Sequence, residues 1–427
     1  MGRCSRLPLC SPEYKSFEEG RQLLIYVLSV RLSRAQRRVY SLDSTAKTVY
    51  SSIMQQKIVS ALFSILAATI FLAPSPDNAL ADAKVKIGIP LPLTGEGVTE
   101  FAQEIKNSFI VANELLGQGK FELIFGDDRC SPRDAVTVVR KLLDLDRVDL
   151  VTGGYCNSCL FSTAPLYNRA GIPVITLATT GDQLGIGPKI FRIFPSDDLG
   201  VEPLMAVASK LTKKLCMVSE LEPFTELVSR AVTSTLKTKY PQVELVTVDL
   251  NYPVTDYRPA FLKLSGQKCE GVLLNTTGEG PLVTAVKQYL EGRSPIQMYA
   301  LYFPGSAFAR NELKEKLNGI IYSNLPRNQE LATDATKEFF TLYEKKYGPR
   351  ETSQPLKLLT FEAFRLIVAA HDAGRPLDHL LQKEKKISGG GLREYWFDED
   401  GAVHGIPIRV LQYQDGKDIL LSESPAE

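Results

Sequence analysis

"FELIFGDDRCSPRDAVTVVRKLLDLDRVDLVTGG" occupies residues 121–154 and reads as strand, helix, strand. An apolar run of Phe121, Leu123, Ile124 and Phe125 stops at Asp127-Asp128. Ser131 is a good N-cap, Pro132 sits where the missing N–H costs nothing, and Asp134 is placed to complete a capping box. Ala135, Val138, Val139, Leu142 and Leu143 then recur at helical spacing, which predicts a helix over 132–145 with one buried face. Strands over 121–127 and 148–153 flank it. They are mostly apolar, as in a parallel sheet covered on both sides.

The rhythm extends both ways. A strand over 85–90 and a helix over 101–116 precede the stretch; a helix near 158–169 and a strand over 172–178 follow it. A second run places strands at 214–219, 243–250, 271–276 and 297–303, alternating with helices near 223–238, 255–265, 280–291 and 306–316. Two successive runs of about 120 residues predict an α/β fold of two doubly wound parallel-sheet lobes. Helices near 334–347 and 356–373 come next, and a hairpin turning at Asp398-Glu399-Asp400-Gly401 closes the chain.

The chain has 427 residues, 44% hydrophobic and 23% charged, enough for two domains. Residues 1–53 carry nine Lys/Arg against four Asp/Glu, whereas 82–427 carry forty against forty-four. The globular part therefore lacks the basic field that nucleic-acid binding needs, and no nucleic-acid partner is expected. Between them, Met54-Gln55-Gln56-Lys57 precedes an uncharged, mostly apolar run from Ile58 to Ala73. Pro74 ends the run, and Ala79-Leu80-Ala81 offers a cleavage pattern. Residues 54–81 read as a signal peptide and 1–53 as an over-extended gene start or a flexible leader. The mature protein is then exported.

Cys130, Cys156, Cys159, Cys216 and Cys269 remain after cleavage. Cys156-Asn157-Ser158-Cys159 is a C-x-x-C between strand and helix, the setting of a thiol oxidoreductase. Zinc would need a fourth ligand, and His371, His379 and His404 lie far along the chain. A staple is the quieter alternative: Cys130 and Cys156 follow adjacent strands at one sheet edge, ~4.8 Å apart, which suits a bridge in an oxidising compartment. Cys216 and Cys269 begin strands that would be neighbours, leaving a second bridge open. Asp127-Asp128 reads as a loop cap rather than a metal site, Ser388-Gly389-Gly390-Gly391 as a turn, and Asn275-Thr276-Thr277 as an unspecific sequon. No G-x-S-x-G, H-E-x-x-H or GxxxxGK[ST] occurs, so neither catalysis nor a cofactor or metal is expected.

Six segments in order resemble the bacterial periplasmic binding proteins for branched-chain amino acids, amides and related solutes, which deliver ligand to ABC transporters. They are "VKIGIPLPLTGEG" (85–97), "FGDDRCSPRDAVTVVRKLL" (125–143), "VTGGYCNS" (151–158), "AGIPVITLATTGDQL" (170–184), "FRIFPSDD" (191–198) and "FDEDGAVHG" (397–405). The resemblance implies two lobes joined by a three-crossing hinge, with a small-molecule ligand buried between them. Crossings near 205, 323 and 393 would give lobe 1 as 84–205 with 324–392 and lobe 2 as 206–323 with 393–427. It also implies a Cys130–Cys156 disulfide, an inner-membrane ABC permease as partner, a monomeric receptor and a periplasmic location. A thiol oxidoreductase built on Cys156 and Cys159, or a sensor for a membrane signalling protein, are the competing readings.

Carried over by position, the family's carboxylate-holding segments fall on Asn157-Ser158 and Ala178-Thr179-Thr180, whose hydroxyls and N–H groups bind a carboxylate without a cation. A pocket tyrosine becomes Phe224, and another falls near Thr277. The acidic residue that amino-acid binders use falls on Leu301 or Tyr302, neither charged. A buried ammonium without counter-charge is costly. The cleft is thus expected to prefer a small carboxylate, aromatic acid or amide, with Phe101, Phe224 and Tyr302 in apolar contact, unless Glu100 or Glu220 substitutes.

Overall fold

The computed structural model describes residues 84–424 except 96–97, 179–185, 292–295, 350 and 389. The expected leader and signal peptide, and Thr179 and Thr180, lie outside the described residues.

Strands β1 (Val85–Leu91), β2 (Phe121–Asp127), β3 (Leu150–Gly153), β4 (Val174–Thr176) and β5 (Ile190–Arg192) form one parallel sheet in the order β2-β1-β3-β4-β5. Between them run helices α1 (Thr99–Leu116), α2 (Pro132–Arg140) and α3 (Asn157–Ala170). Ser131 caps α2 as expected, accepting from the Asp134 N–H. The capping box does not close, because the Ser131 N–H is already donated to the Asp128 carbonyl at 2.8 Å. A π-helical turn over Lys141–Asp146 then completes the predicted helix.

A second sheet runs β14-β13-β10-β9-β8-β6-β7. Its parallel strands are β6 (Lys214–Leu221), β7 (Glu244–Asn251), β8 (Gly271–Asn275), β9 (Gln297–Leu301) and β10 (Ile321–Asn324). The antiparallel pair β13 (Arg409–Gln414) and β14 (Lys417–Glu423) extends it past β10. Helices α4 (Val201–Leu211), α5 (Pro223–Lys239), α6 (Arg258–Leu264), α7 (Glu279–Tyr289) and α8 (Ala307–Leu313) accompany these strands. Central strands of both sheets are buried on both faces; Ile87, Ile89, Met217, Leu273 and Tyr299 are inaccessible.

The chain then returns to the first sheet. After the short helix α9 (Asn328–Leu331), α10 (Lys337–Tyr347) and α11 (Leu356–Asp372) pack on α1. Helix α12 (Leu377–Lys383) and a small hairpin, β11 (Trp396–Phe397) with β12 (Val403–His404), follow. This hairpin turns over the expected Asp398–Gly401, and Ala402 bridges Arg192 at the end of β5. Helix α4 packs on α5 and the second sheet's β10, β13 and β14.

Two bridges close, Cys130–Cys156 with Cα atoms 5.5 Å apart and Cys216–Cys269 with 5.8 Å. Cys159 remains a free, buried thiol. No group of His, Cys, Asp and Glu among the described residues could hold a metal ion.

Candidate functional site

The turn after β3 is shaped by two glycines. Gly153 and Gly154 have φ of +80° and +66°, and a Cβ on Gly153 would stand 2.8 Å from Ile89 Cγ2. Such backbone suits glycine and few other residues. It turns the chain so that Tyr155, Cys156 and Asn157 emerge at the carboxyl end of the sheet, where open α/β folds bind ligands. Cys156 is the N-cap of α3 and Asn157 its first residue, buried, with Ser158 half-buried beside it. The disulfide fixes this cap to the loop after β2. There, Asp127 accepts from Thr94 and from the Arg129 N–H, and Asp128 accepts from the Cys130 N–H. The two aspartates are loop caps.

Ala178, wholly buried after β4, donates its N–H to Thr176 Oγ1 at 3.1 Å, and that hydroxyl donates to the Gly154 carbonyl at 3.3 Å. The two segments expected to hold a carboxylate are thus tied together. Phe101, at the start of α1, stacks on Tyr155 with ring centroids 5.2 Å apart. The Tyr155 hydroxyl donates to Gln354 Oε1 at 3.0 Å. Burial, with Asp197 and Glu279 nearby, holds this phenol far above its ordinary range.

On the second-sheet side, Phe224 is half-buried in the first turn of α5 and meets Phe303 edge-on at 6.2 Å. Helices α3 and α5 touch, which brings Phe224's helix against the helix of Asn157 and Ser158. The Thr277 N–H donates to Glu220 Oε2 at 2.8 Å, and the Tyr257 hydroxyl donates to Glu220 Oε1. Glu220 is therefore fully engaged within its own half. Glu100 is exposed on α1. Asn275 of the sequon is buried, donating to Ser219 Oγ and the Thr225 carbonyl.

Tyr302 lies behind Phe303. Its backbone is left-handed, with φ +45°, and its ring is buried edge-on to Phe194. Its hydroxyl lies against Asp197, and burial together with that carboxylate raises the phenol well above its ordinary range. Its ring also meets Phe303 edge-on at 6.3 Å, and Phe303 in turn meets Phe224, so Tyr302 joins the aromatic chain that includes Phe224. Its phenol also feels Tyr155, which stacks on Phe101.

One residue was missed by the sequence reading. Glu279, the first residue of α7, is only 7% exposed. It lies beside Ser306 of its own half and Ser353, which precedes α11 of the other. Burial pushes its carboxyl up to about 7, and Glu100 adds to the rise, against the effect of the two serines. The only sequence cue was an acid directly after a strand-end Thr-Thr-Gly.

A parallel-sheet pair with residues of both halves converging at the strand ends defines a two-lobed solute receptor. The periplasmic binding protein family profile matches residues 84–379, and the chain belongs to that family. It is 27% identical over 223 residues to an amino acid binding protein of Pseudomonas aeruginosa, covering 49% of this chain and 59% of that protein. It is 27% identical over 182 residues to the Leu/Ile/Val-binding protein of Escherichia coli K12, covering 40% and 49%. The matched stretches span between half and three-fifths of those relatives.

Solved structures agree in fold. The leucine binding protein LivK of Thermotoga maritima superposes with TM-score 0.70 at 17% identity, covering 80% of this chain and 99% of that one. A Rhodopseudomonas palustris ABC-transporter solute binding protein in complex with benzoate gives 0.69 at 16%, covering 81% and 98%. LivJ of Streptococcus pneumoniae in complex with isoleucine gives 0.66 at 16%, covering 80% and 99%. The fold is the two-lobed type 1 periplasmic binding fold. Its family comprises solute-binding receptors, not enzymes.

Proposed function

We propose that this protein is the substrate-binding component of an ABC importer, capturing a small carboxylate-bearing solute by closure of two hinged lobes. The observation that carries the reading is the Gly153-Gly154 turn, which delivers Asn157 and Ser158 at a sheet end facing α5 of the other half. Asn157 and Ser158, with Thr179 and Thr180 as further candidates outside the described residues, hold the carboxylate through N–H and hydroxyl groups. Ala178, whose N–H already serves Thr176, backs that wall. Phe101 with Tyr155, and Phe224 with Phe303, supply the apolar walls. Thr277 contributes from the second lobe; its N–H is already committed to Glu220, which leaves the hydroxyl for ligand.

The hinge crossings we infer lie near 197, 326 and 406, against 205, 323 and 393 from the sequence. Support comes from α4 packing on the second sheet and from the β11–β12 hairpin joining β5. Closure around ligand presents the occupied form to an inner-membrane permease. Two disulfides fit an oxidising compartment such as the periplasm.

Isothermal titration against amino acids, aliphatic acids and aromatic acids, paired with solution scattering, tests this. One-to-one binding of at least one carboxylate with a fall in radius of gyration is the expected result. No binding and no change in size across the panel would end the proposal.

A further inference from the structure

Solute capture leaves one sequence motif without a use, the C-x-x-C. Cys156 is the N-cap of α3 and Cys159 its third residue, so the pair spans the two positions that face each other in a capping box. The Cys159 N–H donates to the Cys156 carbonyl at 3.1 Å, which holds them at that approach. Cysteines spaced this way bridge to each other in disulfide oxidoreductases. Here Cys156 is bonded to Cys130 instead.

The three cysteines share one small cluster with Ala135 and Tyr155, separate from the rest of the core. Asp128, Cys156 and Cys159 also border a void of about 20 Å³, the room of a single water, so a sulfur has space beside it in which to turn. Cys159 is nevertheless a poor nucleophile in the folded chain. Burial and the charge of Asp128 hold its thiol far above the ordinary range. A hydrogen bond with Ser158 opposes the rise, and Asp134 and Glu222 add to it. These groups come from the loop after β2, from α2, from α3 itself and from the residue before α5. Only a thiolate attacks a disulfide. The site therefore suits a sulfur that has been displaced and must not return.

We propose that Cys156–Cys159 is a second, transient disulfide site, formed first during oxidation and then exchanged for Cys130–Cys156. Two residues separate the near pair, against a sequence separation of 26 for the native one, and a short loop closes at a lower entropic cost. In the first step a disulfide oxidant such as oxidised glutathione takes two electrons from the Cys156 and Cys159 thiols, leaving the bridge and two molecules of reduced thiol. Packing of α2 on α3 then brings the Cys130 loop over the helix start. The Cys130 thiolate attacks Cys156 Sγ, the Cys130–Cys156 bond forms and the Cys156–Cys159 bond breaks. Cys159 leaves as a thiolate, takes up a proton and stays buried. This exchange needs no further oxidant, and it holds whether or not the cleft takes a carboxylate.

The full chain, reduced and denatured, is refolded in a glutathione redox buffer at mildly alkaline pH. Thiols are trapped with N-ethylmaleimide at intervals and the bridges mapped by mass spectrometry. Cys156–Cys159 should rise and then fall as Cys130–Cys156 accumulates. Cys159→Ala should reach the same native bridge ~3-fold or more slowly. Native bridge that accumulates with no Cys156–Cys159 before it overturns the proposal, and this measurement needs no variant. So does an unchanged oxidation rate in Cys159→Ala, or a Cys156–Cys159 bridge that persists in the folded protein.

Discussion

On the first-lobe side of the proposed cleft, candidate donors follow a strand end: Asn157 and Ser158 open α3 after β3. On the second-lobe side, polar groups are already paired among themselves: the Thr277 N–H and the Tyr257 hydroxyl serve Glu220, and Glu279 lies beside Ser306 and Ser353. The proposed cleft thus pairs a wall of hydrogen-bond donors with one whose open contributions are the Phe224–Phe303 ring pair and the Thr277 hydroxyl.

The two disulfides differ in the same way, and removing them should give the largest effects. Cys130–Cys156 closes 26 residues and holds the N-cap of α3, directly before Asn157. Cys216–Cys269 closes 53 residues and joins β6 to the turn before β8, within the second sheet. On the chain-entropy model their losses are about 3–4 and about 4 kcal/mol, or roughly 5–10 °C in Tm by calorimetry. Affinity should separate them. Cys216→Ser with Cys269→Ser should bind ligand within about twofold of the unaltered protein, while Cys130→Ser with Cys156→Ser should weaken binding ~3–10-fold through the loosened cap. Equal affinities in the two variants would show that the first bridge does nothing for the wall.

Next in size is the donor wall itself. Asn157→Ala with Ser158→Ala should raise the Kd for a carboxylate ligand ~100-fold, with Tm within about 2 °C, because charge-assisted bonds are lost at a position that carries little of the core. The methyl ester of the same ligand should bind weakly to both proteins. An equal loss for acid and ester would mean that these side chains contact some other part of the solute.

Much of this was legible in advance for a physical reason. Long apolar runs marked β1 and β6 to within a few residues, because those strands are buried along most of their length. β2 and the outer strand β7 were legible from their apolar residues although they are mostly half-buried or exposed. Ile190–Arg192, at three residues, carries too little period to read. Asp134 looked like half of a capping box, but the competing Asp128 carbonyl is set by the disulfide loop, which no local pattern records. The positive φ of Tyr302, which seats its ring between Phe194 and Phe303, had no cue in the local sequence. Glu279 was the least legible. An acid in a helix's first turn is ordinary, since the helix dipole favours it, and only tertiary packing reveals that it is buried beside Ser306 and Ser353.

The smallest effect concerns two acids that reach the same short segment from opposite lobes. Glu104 accepts from Thr352, and Glu279 sits beside Ser353; burial pushes each carboxyl up to about 7. A carboxyl whose folded-state pKa is raised stabilises the protein below its unfolded value, near 4.5, and that contribution is lost as pH rises through about 7. Tm should therefore fall between pH 5 and pH 8. Glu104→Gln keeps an acceptor for the Thr352 N–H, leaves Lys357 beside Glu351 at 3.7 Å, and removes one titration. Its slope should be shallower, with a gain at pH 8 of at most roughly 3 kcal/mol. An unaltered slope in Glu104→Gln would mean that Lys357 already holds this carboxyl ionised.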